Sequence, residues 1–330
     1  MDLQKRSLRI GAAAIVCAVV IRLLAGGQLQ NAVAAVQIPE GLASFLLYLE
    51  TGRVVRPTEP TQPPETVPPA PTLPPATTPT PDLPVFTAGD AAYLELTNYS
   101  SCQPDPESLL TAPLDWQTQT PAVLILHTHT CECYTQSSGE AYALSGDYRT
   151  LDDRYNMVSI GRQLARVLEE GGVRVIHATD THDYPSYNGS YENARRTIAR
   201  YLKEDPQIRL VLDLHRDAAD DGYGGQLDTQ ATVDGTPSAQ LMIVVGTNGS
   251  GLSHPDWQKN AALGAKLQVT LEKRYPGLCR PMQLRSQRFN QDLSPGALLI
   301  EVGAAGNSHP EAMKAAEALG RAILELMGRV

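Results

Sequence analysis

Three apolar runs in this sequence lead into residues able to do chemistry. Ala122–Leu126 runs into His127, Ile208–Leu214 into His215, and Ala297–Val302 carries Glu301 near its end. A polar group directly after an apolar strand sits at the rim of a sheet, and parallel strands bring such groups to the same rim. Two imidazoles and carboxylates meeting there are what a catalytic zinc site requires: three protein ligands and an open position for water. The ion lowers the pKa of that water toward about 7, and a nearby carboxylate takes its proton. A lone histidine at a strand end is more often a hydrogen-bonded structural group. Two among only seven histidines weigh toward a metal.

Further candidates lie close by. His129 follows His127 by two residues, so in extended backbone both point to one face, where His129 would orient a ligand or touch substrate. Arg216 and Asp217 follow His215. Asp217 is a candidate acceptor for an imidazole N–H and Arg216 a candidate partner for a substrate carboxylate, unless the two pair with each other. Asn290 and Gln291 are candidates for contacts to amides of a substrate. Cys131 and Cys133 flank Glu132. A Cys-x-Cys pair beside zinc can bind metal itself or oxidise, although so short a bridge is strained; small substitutions in a loop are the plainer reading. His254 reads as a cap or packing residue, and His177, His182 and His309 have no supporting context.

The elements that must position these groups alternate. Tyr155–Glu170 has helical spacing (Met157, Ile160, Leu164, Val167, Leu168) and stops at Gly171-Gly172. Val173–Ala178 is strand-like, Tyr191–Lys203 is helical and ends before Pro206, and Ile208–Leu214 is a strand interrupted only by Arg209 and Asp213. Residues 219–238 are rich in Gly and Asp and have turn chemistry. Leu241–Val245 is a further strand, Asp256–Tyr275 a helix with Asp256 as N-cap, and Pro310–Met327 a closing helix. This alternation predicts an α/β fold, a mainly parallel sheet with helices on both faces.

The chain has 330 residues, which at about 150 per domain suggests two domains. The prolines argue otherwise: 12 of the 25 fall between Pro57 and Pro84, where neither helix nor sheet can form. That block reads as a semi-rigid tether, which at about 3 Å per residue reaches up to about 85 Å. Four segments follow: 1–26, a signal-anchor; 27–56, a juxtamembrane region with an amphipathic helix; 57–87, a Pro/Thr-rich linker; and 88–330, one large domain. Lys5, Arg6 and Arg9 precede the apolar run Ile10–Ile21, which puts the N-terminus in the cytoplasm and the rest outside. A cleavable signal peptide is the rival, with Ala32-Val33-Ala34 as its cleavage site. Net charge is −9, with +3 on residues 1–56 and −12 beyond them. So acidic a domain argues against nucleic-acid binding. Five cysteines are too few for a disulfide scaffold.

Four motifs in order carry a resemblance: HTHTCECY at 127–134, LDLHRDA at 212–218, VVGTN at 244–248 followed by HPDWQKN at 254–260, and RFNQDLSPGALLIEVG at 288–303. Together they resemble the stage II sporulation protein P family, over about residues 121–328. The resemblance implies a fold like that of zinc-dependent N-acetylmuramoyl-L-alanine amidases, a Zn²⁺ cofactor and peptidoglycan as substrate. It implies cleavage of the amide between the muramic acid lactyl group and L-alanine, with endopeptidase activity on cross-links also credited to the family. It further implies a single-pass protein of the cell membrane with its catalytic domain outside the cytoplasm, at the sporulation septum, working in engulfment with stage II sporulation proteins D and M. Position by position, His127 and His215 match the family's metal histidines and Glu132 the glutamate of its HTH-x-x-E-x-Y motif, the third ligand. Asp153 is the rival for that place, because related amidases take a ligand at the start of the following helix. Glu301 matches the general base. The chain departs from the family at Cys131 and Cys133, where Thr and Ser are usual. Two other readings stay open: another wall metallopeptidase on a similar fold, and a tethered envelope-binding protein without activity.

Overall fold

The computed structural model describes residues 83–114, 121–220 and 225–329, which lie in one unit, Thr77–Val330. The expected anchor, the juxtamembrane helix and nearly all of the linker lie outside the described residues. Among the described residues no helix is long and apolar enough to cross a membrane.

Seven strands form the central sheet: β1 (Leu96–Tyr99), β2 (Ala122–Leu126), β3 (Arg174–His177), β4 (Ile208–Asp217), β7 (Leu241–Gly246), β8 (Met282–Arg285) and β9 (Ala297–Ala304). Their order is β1-β8-β7-β9-β4-β2-β3. Neighbours run parallel except at β7 and β9, which are antiparallel. The helices are α1 (Pro106–Thr111), α2 (Met157–Glu170), α3 (Ser190–Glu204), α4 (Trp257–Arg274) and α5 (His309–Leu326). Chain direction explains where α2 and α3 lie. The chain steps outward from β2 to β3 through α2, then back past β2 to β4 through α3. Both crossovers join parallel strands and share one hand, so reversing the step puts the two helices on opposite faces.

The faces are unequal. α2, α4 and α5 pack with Val123, Ile125, Leu212, Leu214, Ile300 and Val302 in one large core. On the other face α3 contributes Ala194 and Ile198, which pack with Ala122, Leu124, Leu126 and Val211 in a smaller cluster. Beyond it, Met242, Val244 and Leu299 form a third, small buried cluster with Phe289 packed against it. Helices do lie on both faces, as the alternation predicts. The stripe Met157, Ile160, Leu164, Val167 and Leu168 is the buried face of α2, which starts on a bond from Val158 N–H to the Asn156 side chain and ends at Gly171.

Strands β1 and β8 and the hairpin of β5 (Gln230–Val233) and β6 (Thr236–Ala239) were not expected from the sequence. Four residues such as LTNY or MQLR are too few and too polar to display a period. All but the last residue of the hairpin lies in the segment that reads as turns, and its Asp234-Gly235 pair, both at positive φ (52° and 77°), is the two-residue turn that joins the strands.

Candidate active site

Side chains alternate across a strand, and parity decides which face each candidate takes. Leu126 is in register with Asp213, and Ile125 with Leu212. Asp213 and His215 therefore leave the sheet on the α3 face. Glu301 is in register with His215 and joins them there. His127 has the parity of Val123 and Ile125, and goes to the opposite face, beneath α2.

There His127 has a complete set of partners. Its Nδ1–H donates to the Leu214 carbonyl at 3.3 Å, which leaves Nε2 to accept from His177 Nε2 at 2.9 Å. Burial, with His177 second, holds the His127 imidazole well below its ordinary range. Burial, helped by Arg162, brings His177 down to about 4, so both rings are neutral at pH 7. Gly161 of α2 makes room for the pair. A Cβ there would lie 2.6 Å from His127 Nε2 and closer still to His177 Nε2.

The histidine that reaches the α3 face from this segment is His129. The strand ends at Leu126 and the chain turns at 128–131, so the extended geometry that would have kept His127 and His129 on one face is lost. His129, Glu132 and His215, all buried, each offer one ligand atom, and these atoms lie within 4.8 Å of one another. Glu132 Oε2 is 3.8 Å from His215 Nδ1 and accepts from the Arg216 backbone N–H at 3.3 Å. Three buried polar atoms around the cluster have no hydrogen-bond partner: His129 Nδ1, His215 Nε2 and Glu301 Oε2. Orphaned donors and acceptors of this kind are costly when buried. With His129 Nδ1 unpartnered and His215 Nδ1 turned toward Glu132, this nitrogen–oxygen–nitrogen donor set fits a zinc ion with an open position. The ligand set met by this geometry has His129 where the sequence points to His127. Asp153 is exposed, accepts a bond from Asn156 Nδ2 at 3.1 Å and stands outside the cluster.

The electrostatics are those of closely packed ionisable groups. Burial pushes the Glu301 carboxyl up to about 8, against the pull of His215 and with the help of Glu132 and Asp217. Burial also raises Glu132, opposed by Arg216 and His215. For His215, burial works to lower the pKa, but Asp213, Glu132 and Glu301 outweigh it and bring it to about 10. Burial lowers His129 to about 4, reinforced by His215.

A wall of aromatic and charged groups stands over His129. The ring of Tyr187 stacks on it at 4.5 Å between centroids, and the Tyr187 hydroxyl lies 3.1 Å from His129 Nε2. Tyr187 remains 56% exposed, so this ring faces whatever enters. Tyr191 meets His129 edge-on at 5.5 Å and lies over His215 at 6.4 Å. The guanidinium of Arg149 is 5.2 Å above Tyr187 and is bonded to the buried carboxylate of Asp183, which also accepts from the Cys131 backbone N–H. Neither tyrosine, nor Arg149, nor Asp183 is distinguished in the sequence, since each becomes informative only once the loops are placed.

The remaining candidates hold the frame. Arg216 is buried and turned to main chain, donating to the carbonyls of Cys133 at 3.1 Å and Tyr148 at 3.0 Å; it is committed to pinning the loop and not open to a substrate carboxylate. Asp217 pairs with Arg280 at 2.6 Å, not with Arg216 or an imidazole. Gln291 bridges the end of β7, accepting from Gly246 N and donating to Val244 O, both at 2.8 Å. Asn290 donates to the Tyr191 carbonyl at 2.8 Å and so fixes the start of α3. Cys131 and Cys133 are buried, and neither belongs to the group that could hold a metal. Cys102, Cys131, Cys133 and Cys279 are all free thiols.

With this geometry in place, comparison with known proteins identifies the lineage. Residues 86–324 match the family described as stage II sporulation protein P. The chain belongs to that family. It is 26% identical over 218 residues to stage II sporulation protein P of Bacillus subtilis (strain 168), an alignment covering 62% of this chain and 50% of the relative. The chain thus spans about half the length of the curated relative it matches. Among solved structures, it is similar to the CwlD amidase from Clostridioides difficile in complex with the GerS lipoprotein, with a TM-score of 0.36 and 13% identity, covering 62% of this chain and 95% of that one. It is also similar to the catalytic domain of an endolysin targeting Clostridia difficile, with a TM-score of 0.38 and 15% identity over 63% of this chain and 96% of that one.

Proposed function

We propose that this protein is a zinc-dependent peptidoglycan hydrolase that cleaves the amide between N-acetylmuramic acid and L-alanine. The observation that carries the proposal is the buried group His129, Glu132 and His215 with Glu301 in register beside it; membership of the stage II sporulation protein P family supplies the wall substrate. In this reading His129, Glu132 and His215 hold the ion, and the second site histidine of the HTHTCECY motif takes the place expected of His127. Zinc, when bound, supplies polarisation of a carbonyl and a lowered pKa for water. Glu301, in register with His215 beside the cluster, takes a proton from the attacking water and hands it to the leaving amine. Tyr187 and Tyr191 form the wall against which the substrate lies, and the aromatic rings exclude water from one side of the reacting amide.

The same reading puts the domain outside the cytoplasm on a single-pass anchor, at the sporulation septum, with stage II sporulation proteins D and M as partners. Its support is the charge order of Lys5, Arg6 and Arg9 before Ile10–Ile21 and the proline tether that follows. The experiment is a digest of purified peptidoglycan, with and without chelator, read by mass spectrometry. Free lactyl groups on muramic acid that vanish with chelator are expected. New peptide termini in their place would overturn the bond assignment, and no products at all would overturn the enzyme.

A further inference from the structure

Two carboxylates, Asp183 and Asp213, lie within 4.0 Å of the imidazoles of the proposed ligands, and Asp213 touches both ligand-bearing segments. Asp213 is buried, 4% exposed, in the middle of β4. Its Oδ1 accepts from the Thr128 backbone N–H at 2.7 Å, and its Oδ2 accepts from the Thr128 hydroxyl at 2.6 Å. Oδ1 also lies 3.1 Å from His215 Nε2, off the line of an ideal N–H···O bond. Thr128 is the residue before His129. One carboxylate therefore ties the turn that redirects His129 to the imidazole on β4.

We propose that Asp213 is the positioning residue of this centre, holding His215 by Nε2 so that Nδ1 faces Glu132 and the ion, while Thr128 fixes the turn that delivers His129. The inference rests on the zinc reading given above. The distances agree with it: Nδ1 is the His215 nitrogen nearest Glu132, at 3.8 Å, and Nε2 the one nearest Asp213. Carboxylates that hold the far nitrogen of a ligating imidazole fix its tautomer and ring plane. Asp217, two residues after His215 in sequence, cannot serve, since it is paired with Arg280. Asp183 stands 4.0 Å from His129 Nδ1, beyond hydrogen-bond range, and is engaged by Arg149.

The test uses full-length protein and zinc affinity measured by competition with a fluorescent chelator. Asp213→Ala is expected to weaken zinc binding by about 10–100-fold, while Asp213→Asn, which keeps an oxygen acceptor, recovers most of the loss. Nitrogen-15 spectra of wild-type protein labelled at histidine and loaded with zinc should show His215 bound through Nδ1 with a proton on Nε2. Equal affinity in Asp213→Ala, or coordination through Nε2, overturns the inference. Should Asp213→Ala fail to fold, the wild-type spectrum decides alone. Failure of the wild type to bind zinc at all removes the parent reading and this inference with it, whereas uptake through Nε2 removes only the inference.

Discussion

Replacing Glu301 by glutamine should stabilise the metal-free protein by an amount that grows with pH. Burial raises the Glu301 carboxyl from an ordinary value of 4.5 to about 8. A carboxyl raised on folding binds its proton more tightly in the folded state than in the unfolded one. Folding carries no penalty from it below about pH 4.5, and stability drains away as pH climbs from there through about 8. At face value the shift corresponds to about 5 kcal/mol. Glu301 is partly exposed, and screening on its open side reduces the expected effect to roughly 1–3 kcal/mol. Glutamine keeps the shape and cannot ionise, so Glu301→Gln should match the wild type at pH 4.5 and exceed it at pH 8. Urea denaturation of chelator-treated protein, followed by circular dichroism at several pH values, measures the difference. A gap between variant and wild type that stays flat from pH 4.5 to 8 would refute the reasoning, as would one that shrinks.

Two further outcomes follow from packing. Gly161→Ala drives a methyl into the His127–His177 pair and should cost about 1–3 kcal/mol in denaturation, by overpacking, while the folded protein keeps its zinc content; an unchanged midpoint would show that the pair can move aside. Burial raises Cys131 to about 12 and Cys133 to about 11. In native protein at pH 8 an aromatic disulfide reagent should therefore spare both and label the partly exposed Cys102; peptide mapping that finds Cys131 or Cys133 modified before unfolding would contradict this.

The α/β alternation, the parallel strands and the strand-end chemistry of His215 and Glu301 are legible in the sequence because long apolar runs and helical periods declare themselves locally. Which histidine faces the site is not. His127 directly follows the end of β2 and His129 lies in the turn beyond it, and only the pairing register of β2 with β4 assigns His127 to the α2 face. That register is a long-range property; no local period encodes it. Asp213 is visible as an acid interrupting an apolar strand, a costly burial that itself asks for partners, yet by sequence Asp217, the same two residues from His215 on its other side, reads as the candidate acceptor. Arg216 and Gln291 look like substrate contacts by residue type, and the structure spends them on carbonyls and strand ends. Four-residue polar strands such as β1 and β8 carry too few side chains to show alternation.

The central claim is that His129, Glu132 and His215 form the metal centre and His127 does not. Zinc per folded chain, determined by mass spectrometry of metals after gel filtration of His129→Ala and His127→Ala, tests it directly. The account predicts that His127→Ala, though less stable, retains zinc as the wild type does, and that His129→Ala loses it. Zinc retained by His129→Ala and lost from His127→Ala would contradict the account.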